Sequence, residues 1–147
     1  MLQELFANRI LIAGIFAWLC AQVIKTILFA VIHRRLDFGR LVGDGGMPSG
    51  HSATVSAVAA MSCLEYGAGS PVFALSMILA VITCHDAMNS RQQIGKQAVV
   101  LNTILREMLE GEKPETVLKE LVGHTRSQVF AGILLGIAVA CWMYYLW

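Results

Sequence analysis

Four long apolar segments occupy most of this chain of 147 residues and constrain its fold more than any other feature. They cover residues 10–32, 48–66, 71–88 and 125–147. A helix that crosses a bilayer needs about 20 mostly apolar residues, and the first and last segments reach that length. Charged residues make up only 14% of the chain, whereas a soluble domain carries about 25%. The pattern therefore predicts an integral membrane protein.

The two middle segments are shorter, and each reaches about 20 residues only if its polar flanks are included. The buried core of a helical bundle is the competing interpretation. We favour membrane spans because four such segments account for most of the chain. Small residues in the second segment, and the pair Gly132 and Gly136 in the fourth, permit close contact between helices. The expected fold is an all-α integral membrane bundle, one domain with four transmembrane helices.

Several other classes of protein are disfavoured. The first segment is longer than the apolar region of a cleaved signal peptide and lacks its small-residue cleavage site, so we expect a retained span. No basic tract is interleaved with aromatic residues, and no nucleic-acid partner is expected. The four cysteines lie in apolar runs without paired spacing, which indicates packing residues rather than disulfides or metal ligands. They are Cys20, Cys63, Cys84 and Cys141. Oligomeric state is left open.

The polar stretch between the third and fourth segments predicts an amphipathic insert over about residues 97–122. An apolar stripe of helical spacing predicts a first helix closed by Gly111. A second short helix is expected from Pro114, ended by Gly123. The stripes comprise Ile104, Leu105, Met108 and Leu109 in the first helix and Leu118, Leu121 and Val122 in the second. Such helices are typical of the headgroup region, so contact with membrane lipids is expected.

Positive charge sets the expected orientation in the membrane. The basic residues of the two long loops are Arg34, Arg35 and Arg40 after the first segment, and Arg91, Lys96, Arg106, Lys113 and Lys119 after the third. The connection over residues 65–70 has neither Lys nor Arg. Basic loops stay on the cytoplasmic side. We therefore expect a multi-pass protein of the cell or inner membrane, with cytoplasmic loops and insert and both termini outside.

Under this topology, several polar residues meet at the cytoplasmic face. They are Lys25 near the end of the first segment, Gly45 to His51 at the start of the second, Asp86 near the end of the third, Ser90, Arg91 and Lys96 after it, and His124 at the start of the fourth. Each has an ordinary structural explanation, such as a helix cap for Ser49 or a snorkelling side chain for Lys25. Their coincidence on one face favours a functional site.

The string from Gly45 to His51 has the chemistry of an anion site. Glycines allow the backbone to approach a ligand closely, and the first N–H groups of a helix lack helical partners. The helix dipole adds positive potential. Ser49 supplies a hydroxyl, and Lys25, Arg91 and Lys96 supply charge, with Arg able to bind two phosphate oxygens. Two histidines in the same region offer a nucleophile and a proton donor.

These residues carry a family resemblance. Pro48-Ser49-Gly50-His51 resembles the second signature of the type 2 phosphatidic acid phosphatase superfamily, which includes acid phosphatases and vanadium-dependent haloperoxidases. The longer string from Gly45 to Ala53 resembles the small divergent branch of that superfamily. Further matches extend it over nearly the whole chain: Asp86-Ala87, Arg91, Gly95-Lys96-Gln97-Ala98, Leu101-Asn102 and Gly123-His124-Thr125.

The resemblance implies roles for individual residues. His124 would attack phosphorus and form a phosphohistidine, and His51 would protonate the leaving oxygen. The phosphate would be held by Lys25, Ser49, Gly50 and Arg91, with Lys96 as a further candidate. No metal or other cofactor is expected, because cations and backbone amides stabilise the transition state.

The chain departs from the superfamily at three points. Arg34-Arg35 lack the proline of the first signature, and the amphipathic insert separates Arg91 from His124. The Asp that normally follows the nucleophile by four residues, and orients its ring, is Gln128. Besides Gln128 itself, Asp86 or Glu120 are candidates for that role.

The expected function is hydrolysis of a phosphomonoester or diphosphate on a lipid. Phosphatidate, phosphatidylglycerophosphate and polyprenyl diphosphate all fit a site at the membrane interface. Gln128 favours an alternative, a non-catalytic protein that binds or transports a lipid phosphate. A purely structural membrane subunit is the third interpretation, against which the clustered cations and histidines argue.

Overall fold

The computed structural model describes residues 2–34, 46–108, 117–120 and 122–146. These residues form α-helices and connections and contain no strand, which confirms the expected all-α class. The helices are α1 (Leu2–Ala7), α2 (Arg9–His33), α3 (Gly50–Tyr66), α4 (Pro71–Met88), α5 (Ser90–Met108) and α6 (Arg126–Leu146).

Three stretches of the described chain are long and apolar enough to cross a membrane. They are α2, the nearly continuous pair α4 and α5 (Pro71–Met108), and α6. The sequence predicts four transmembrane helices. Helix α3 differs from the others because it has only 17 residues and many of them are alanine or serine. The protein is thus a helical membrane protein with three candidate spans by length and apolarity.

Helix α3 lies at the centre of the bundle and packs against α2, α4 and α6. Its inward positions are small or closely packed, with Ala53, Ala57 and Met61 fully buried. A Cβ atom on Gly132 of α6 would lie 2.5 Å from the carbonyl oxygen of Ser49, so α6 can approach only through its glycines. The small residues of α3 therefore serve helix packing, while the outer helices present large apolar side chains to lipid.

Polar side chains cap the N-terminal ends of three helices. The Asn8 side chain accepts the N–H of Leu11 at the start of α2, at 3.1 Å. Ser49 accepts the N–H of Ser52 at the start of α3, at 3.3 Å. Ser70 caps α4 in the same way, with proline at its first position. These caps satisfy N–H groups that have no partner within the helix.

The bundle has two chemically different ends. At one end, Arg9 forms an ion pair with Glu65 at 2.8 Å and lies over the ring of Tyr144 at 5.7 Å from its centroid. At the other end, α2 and α4 finish and α3 and α6 begin. The N–H of Ser49 donates there to the carbonyl of Gln128, at 3.0 Å. The candidate site lies at this second end.

The insert differs from the sequence prediction. Helix α5 begins at Ser90, earlier than the predicted start near residue 97. The second helix predicted from Pro114 is wrong for residues 117–120 and 122, which are not helical. The physical reason is that the backbone of Leu118 bonds to the side chain of Asn102 on α5 instead of to its own chain. The positions predicted at 109–116, Pro114 included, lie outside the described residues.

Candidate functional site

The start of α3 is enclosed by neighbouring helices. Ser49 is fully buried, and its hydroxyl is bonded to both the N–H and the hydroxyl of Ser52. A Cβ atom on Gly50 would lie 3.3 Å from the indole of Trp18 on α2. The Ser-Gly pair of the second signature is therefore packed between α2 and α6, with the unpartnered N–H groups of the first turn of α3 at this end of the bundle.

Lys25 reaches this end of the bundle from α2, and it is only 5% exposed. Its aliphatic stem packs against the connection that leads into α3, because a Cβ atom on Gly46 would lie 3.2 Å from Lys25 Cγ. Gly46 has a φ of 83°, a conformation that favours glycine. Gly45, the other glycine of the string, lies outside the described residues. Lys25 thus lies beside the connection to α3 and is not exposed at a headgroup surface.

The two histidines of the sequence prediction are neighbours. Their ring centroids are 6.4 Å apart, with the rings inclined at 57°. His51 is exposed in the first turn of α3, whereas His124 is 4% exposed. The N–H of His124 donates to the carbonyl of Ala87 near the end of α4, at 3.0 Å. Three elements, α3, α4 and the chain entering α6, therefore bring the rings together.

Gln128 contacts the ring of His124. Its Oε1 lies 3.2 Å from Nδ1 of His124 and also accepts the N–H of Thr125, at 3.1 Å. Since Thr125 supplies a donor, the oxygen of the amide faces the ring, and Nδ1 carries the proton. The lone pair is then on Nε2. Gln128 thus occupies the orienting position that the family resemblance assigns to an aspartate.

Asp86 has a different partner from the one proposed for it. Its Oδ2 accepts a hydrogen bond from Nε of Arg91 at 3.1 Å, and both side chains are partly exposed. The carboxylate therefore holds Arg91 at the end of α4, while Gln128 contacts the ring of His124.

The fold brings Arg91 close to the chain that enters His124, although the insert separates these two residues in the sequence. Gly123 has a φ of 90° and packs against the start of α5. A Cβ atom there would lie 2.7 Å from the backbone nitrogen of Gln92 and 3.1 Å from Cβ of Arg91. The chain entering His124 therefore packs against the start of α5, so that Arg91 is beside the residue that precedes His124.

The structure shows no contact between Lys96 and the other described residues of this cluster. It is exposed on α5, about one and a half turns beyond Arg91. The sequence prediction of a phosphate contact for Lys96 stays a prediction.

Two residues without a predicted role organise the site. Gln92 donates to the carbonyl of His124, and Asn102 binds both Leu118 and Glu120. The sequence does contain a signal for this surface. Gly95, Ala98 and Asn102 recur at helical spacing, and all three are buried although α5 is otherwise mostly exposed. A face of small and amide residues on an amphipathic helix indicates a backbone packed closely against it.

Comparison with known proteins identifies the family of the chain. No solved structure matches the chain. The chain is similar to the membrane protein YuiD of Bacillus subtilis (strain 168), at 39% identity over 148 residues. The match covers 92% of this chain and 93% of that relative. The chain also matches the Divergent PAP2 family over residues 6–139, a range that includes every residue proposed for the site. The chain therefore belongs to the Divergent PAP2 family, as the signature around His51 predicts.

Proposed function

We propose that this protein hydrolyses a phosphomonoester or diphosphate of a lipid through a phosphohistidine at His124. The observation that carries the proposal is the return of the insert onto α5, which sets Gly123 against Arg91. The third signature of the superfamily needs its arginine close to its histidine. In this chain, tertiary contacts supply a proximity that the sequence spacing does not.

The phosphate would be bound by cations and helix N–H groups. Arg91 and Lys25 carry the positive charges, and the first turn of α3 contributes the amides of Gly50 and His51. Ser49 contributes its hydroxyl, and Lys96 approaches only if the bound lipid extends over α5. Fixed donors of this kind stabilise the charge that develops on the phosphate oxygens.

The two histidines have separate roles in the reaction. Nε2 of His124 attacks phosphorus and forms the N–P bond as the P–O bond to the lipid breaks. His51 gives a proton to the departing oxygen. Water then attacks the phosphohistidine, His51 takes its proton, and inorganic phosphate and neutral His124 are released. The Oε1 atom of Gln128 holds the Nδ1 proton of His124 throughout.

A groove beside the site favours a lipid over a soluble phosphate ester. A cavity of about 640 Å³ runs between α3, α4 and α6 and is lined almost entirely by apolar side chains, from Phe73 to Met88 along α4. That distance is about 22 Å of helix. The groove shares Met88 and Ile133 with a second cavity, which reaches Asn89 and Arg126. A hydrocarbon chain in the groove would leave its headgroup at the end of the bundle that carries the site.

In this proposal α3 is the fourth span. It is short and rich in small residues because α2, α4 and α6 surround it, so it needs little apolar surface of its own toward lipid. The site end would face the cytoplasm, since the basic residues of the two long loops belong to that end. Helix α5 would lie at the cytoplasmic membrane surface with its apolar face toward lipid.

A second candidate function is binding or transport of a lipid phosphate without turnover. The specific observation in its favour is the contact of Gln128 with His124. An amide oxygen orients the ring, yet it stabilises an imidazolium less than a carboxylate does. The cradle around Ser49 and Arg91 would be retained in such a protein.

The test is phosphate release by the purified protein from a panel of lipid phosphates. The panel contains phosphatidate, phosphatidylglycerophosphate and a polyprenyl diphosphate, with p-nitrophenyl phosphate as an ester that lacks a lipid chain. We expect turnover of at least one lipid, inhibition by vanadate, and no effect of EDTA. His124→Ala should abolish release because no covalent intermediate can form. His33→Ala is the matched control, since His33 is exposed on α2 and its ring stacks on Phe29.

Two outcomes contradict the phosphatase. The first is absence of turnover on every lipid together with binding of a lipid phosphate that Arg91→Ala weakens, which supports the binding protein. The second is activity that disappears on chelation and returns with a divalent metal, which indicates metal catalysis.

A further inference from the structure

The segment of residues 117–120 and 122–123, here called the strap, runs along one face of α5 toward His124. It is described from Val117, and Leu121 within it is not part of the description. Asn102, toward the far end of α5, and Gln92, near its start, are about 15 Å apart along the helix axis. The six Cα-to-Cα steps from Leu118 to His124 can span at most about 20 Å. The strap is therefore long enough to join its two attachments, and within it the N–H of Val122 donates to the carbonyl of Glu120, at 3.1 Å.

The first attachment is Asn102, which is 3% exposed. Its Oδ1 accepts the N–H of Leu118 at 3.0 Å, and its Nδ2 donates to the carbonyl of the same residue at 2.9 Å. Nδ2 also donates to Oε1 of Glu120 at 2.8 Å. Both amide donors and the amide oxygen are thus used, and the side chain pairs with the strap as a neighbouring strand would.

The second attachment fixes the end of the strap that carries His124. Nε2 of Gln92 donates to the carbonyl of His124 at 3.0 Å. Between the attachments the strap lies directly on the backbone of α5, since a Cβ atom on Gly95 would be 2.5 Å from the carbonyl oxygen of Glu120. The main chain of His124 is therefore held by Gln92 from α5 and by Ala87 from α4.

We infer that Asn102 and Gln92 are positioning residues that set the location of the His124 ring against Arg91 and His51. Neither has been assigned a part in binding phosphate, and Asn102 acts only through the strap. Their role in turnover rests on the proposed phosphohistidine chemistry. Their role in placing His124 rests on the contacts alone.

The variants are Asn102→Ala and Gln92→Ala, each with a neighbouring control. Thr103→Ala is the control for Asn102, because the hydroxyl of Thr103 is exposed and bonds within α5 to Val99. Gln93→Ala is the control for Gln92, because Gln93 is exposed one position along the same helix. Asn102→Asp is a further variant, which keeps the acceptor for Leu118, loses both donors and sets a carboxylate against the carboxylate of Glu120.

The kinetic measurement separates positioning from binding and from loss of fold. We expect kcat to fall by up to about 100-fold in Asn102→Ala and Gln92→Ala, the effect of a displacement of about 1 Å at a reacting group. KM should stay within about twofold, because the phosphate ligands remain in place. Asn102→Asp should lower kcat at least as far as Asn102→Ala, because its carboxylate repels that of Glu120. The controls should match wild type. A raised KM at unchanged kcat overturns the inference.

A second measurement needs no turnover. Diethyl pyrocarbonate modifies accessible histidines, and mass spectrometry reports each site separately. His124 should be modified faster in both positioning variants than in wild type, while the already exposed His51 and His33 keep their rates. Unchanged modification of His124 in both variants overturns the inference, whether or not the wild-type protein is a phosphatase. Absence of turnover by the wild-type protein on every lipid phosphate contradicts the proposed function instead.

Discussion

Gln128 is the residue at which the site departs most from its superfamily. Its amide oxygen accepts the N–H of Thr125 and faces Nδ1 of His124, so one atom both caps the start of α6 and orients the ring of His124. A glutamate has the same length and the same acceptor geometry, whereas an aspartate is one methylene shorter. The contact with Thr125 therefore makes glutamate the better test of the missing carboxylate.

We predict that Gln128→Glu raises kcat about 10-fold or more, because a carboxylate stabilises the imidazolium that an amide only orients. KM should change little, since Gln128 does not belong to the phosphate ligands. Steady-state kinetics on the best lipid of the panel measures both quantities. Gln93→Glu adds the same charge on the exposed face of α5 and should leave kcat unchanged. A fall in kcat for Gln128→Glu would show that the neutral amide is itself required.

We predict that the effect of His51→Ala depends on the leaving group. The loss should be about 100-fold or more with a lipid alkyl phosphate, whose leaving oxygen needs a proton. With p-nitrophenyl phosphate it should be less than about 10-fold, because that leaving group departs without one. Both substrates are measured on the same preparation, and His33→Ala provides the comparison. Equal losses on the two substrates would assign His51 to binding rather than to proton transfer.

At the scale of the elements, the glycines of α6 allow the site to form. Gly132 faces the carbonyl of Ser49, and Gly136 faces the backbone of the next turn of α3. The starts of α3 and α6 are thereby close enough for Ser49 to bond to Gln128. The packing of α3 against α6 and the assembly of the candidate site therefore depend on the same small residues.

We predict that Gly132→Ala separates α6 from α3 and lowers the free energy of unfolding by about 1–3 kcal/mol, the usual cost of overpacking. Turnover should fall as well, because Ser49 and Gln128 move apart. Thermal unfolding in detergent and phosphate release measure the two effects. Gly69→Ala is the control, since a Cβ atom there would meet nothing within 4 Å. Wild-type stability and activity in Gly132→Ala would show that α6 can shift without affecting the cradle.

On the scale of the whole molecule, the bundle has an end with an ion pair and an end with the site. Arg9, Glu65 and Tyr144 join α2, α3 and α6 at the first end. His51, Arg91 and His124 gather at the second. Because α3 begins at the second end and finishes at the first, the connection over residues 67–70 lies on the side opposite to the site.

We predict that the connection of residues 67–70 is outside the cell and that α5 is inside, because the long basic loops remain in the cytoplasm. The test uses a variant without the four native cysteines, into which single cysteines are introduced. Ala68→Cys should react with a membrane-impermeant maleimide in intact cells. Lys96→Cys should react only after the membrane is permeabilised. The reverse pattern would place the site outside.

The sequence by itself determined the membrane character and the helical class, and it supplied most of the residues proposed for the candidate site. Apolar length and helical caps are local properties, so residues 71–88 were predicted with the bounds that α4 has. The string around His51 is local as well, because a helix start needs only its own residues to expose N–H groups.

Tertiary structure decided the rest. The strap was predicted as a helix because Leu118 and Val122 have helical spacing, but a side chain on α5 takes the hydrogen bonds of Leu118. Asn102 and Gln92 had no predicted role, since their partners are remote in sequence. The proximity of Arg91 to His124 likewise depends on where a long insert returns, and only packing onto Gly95 and the start of α5 determines that point.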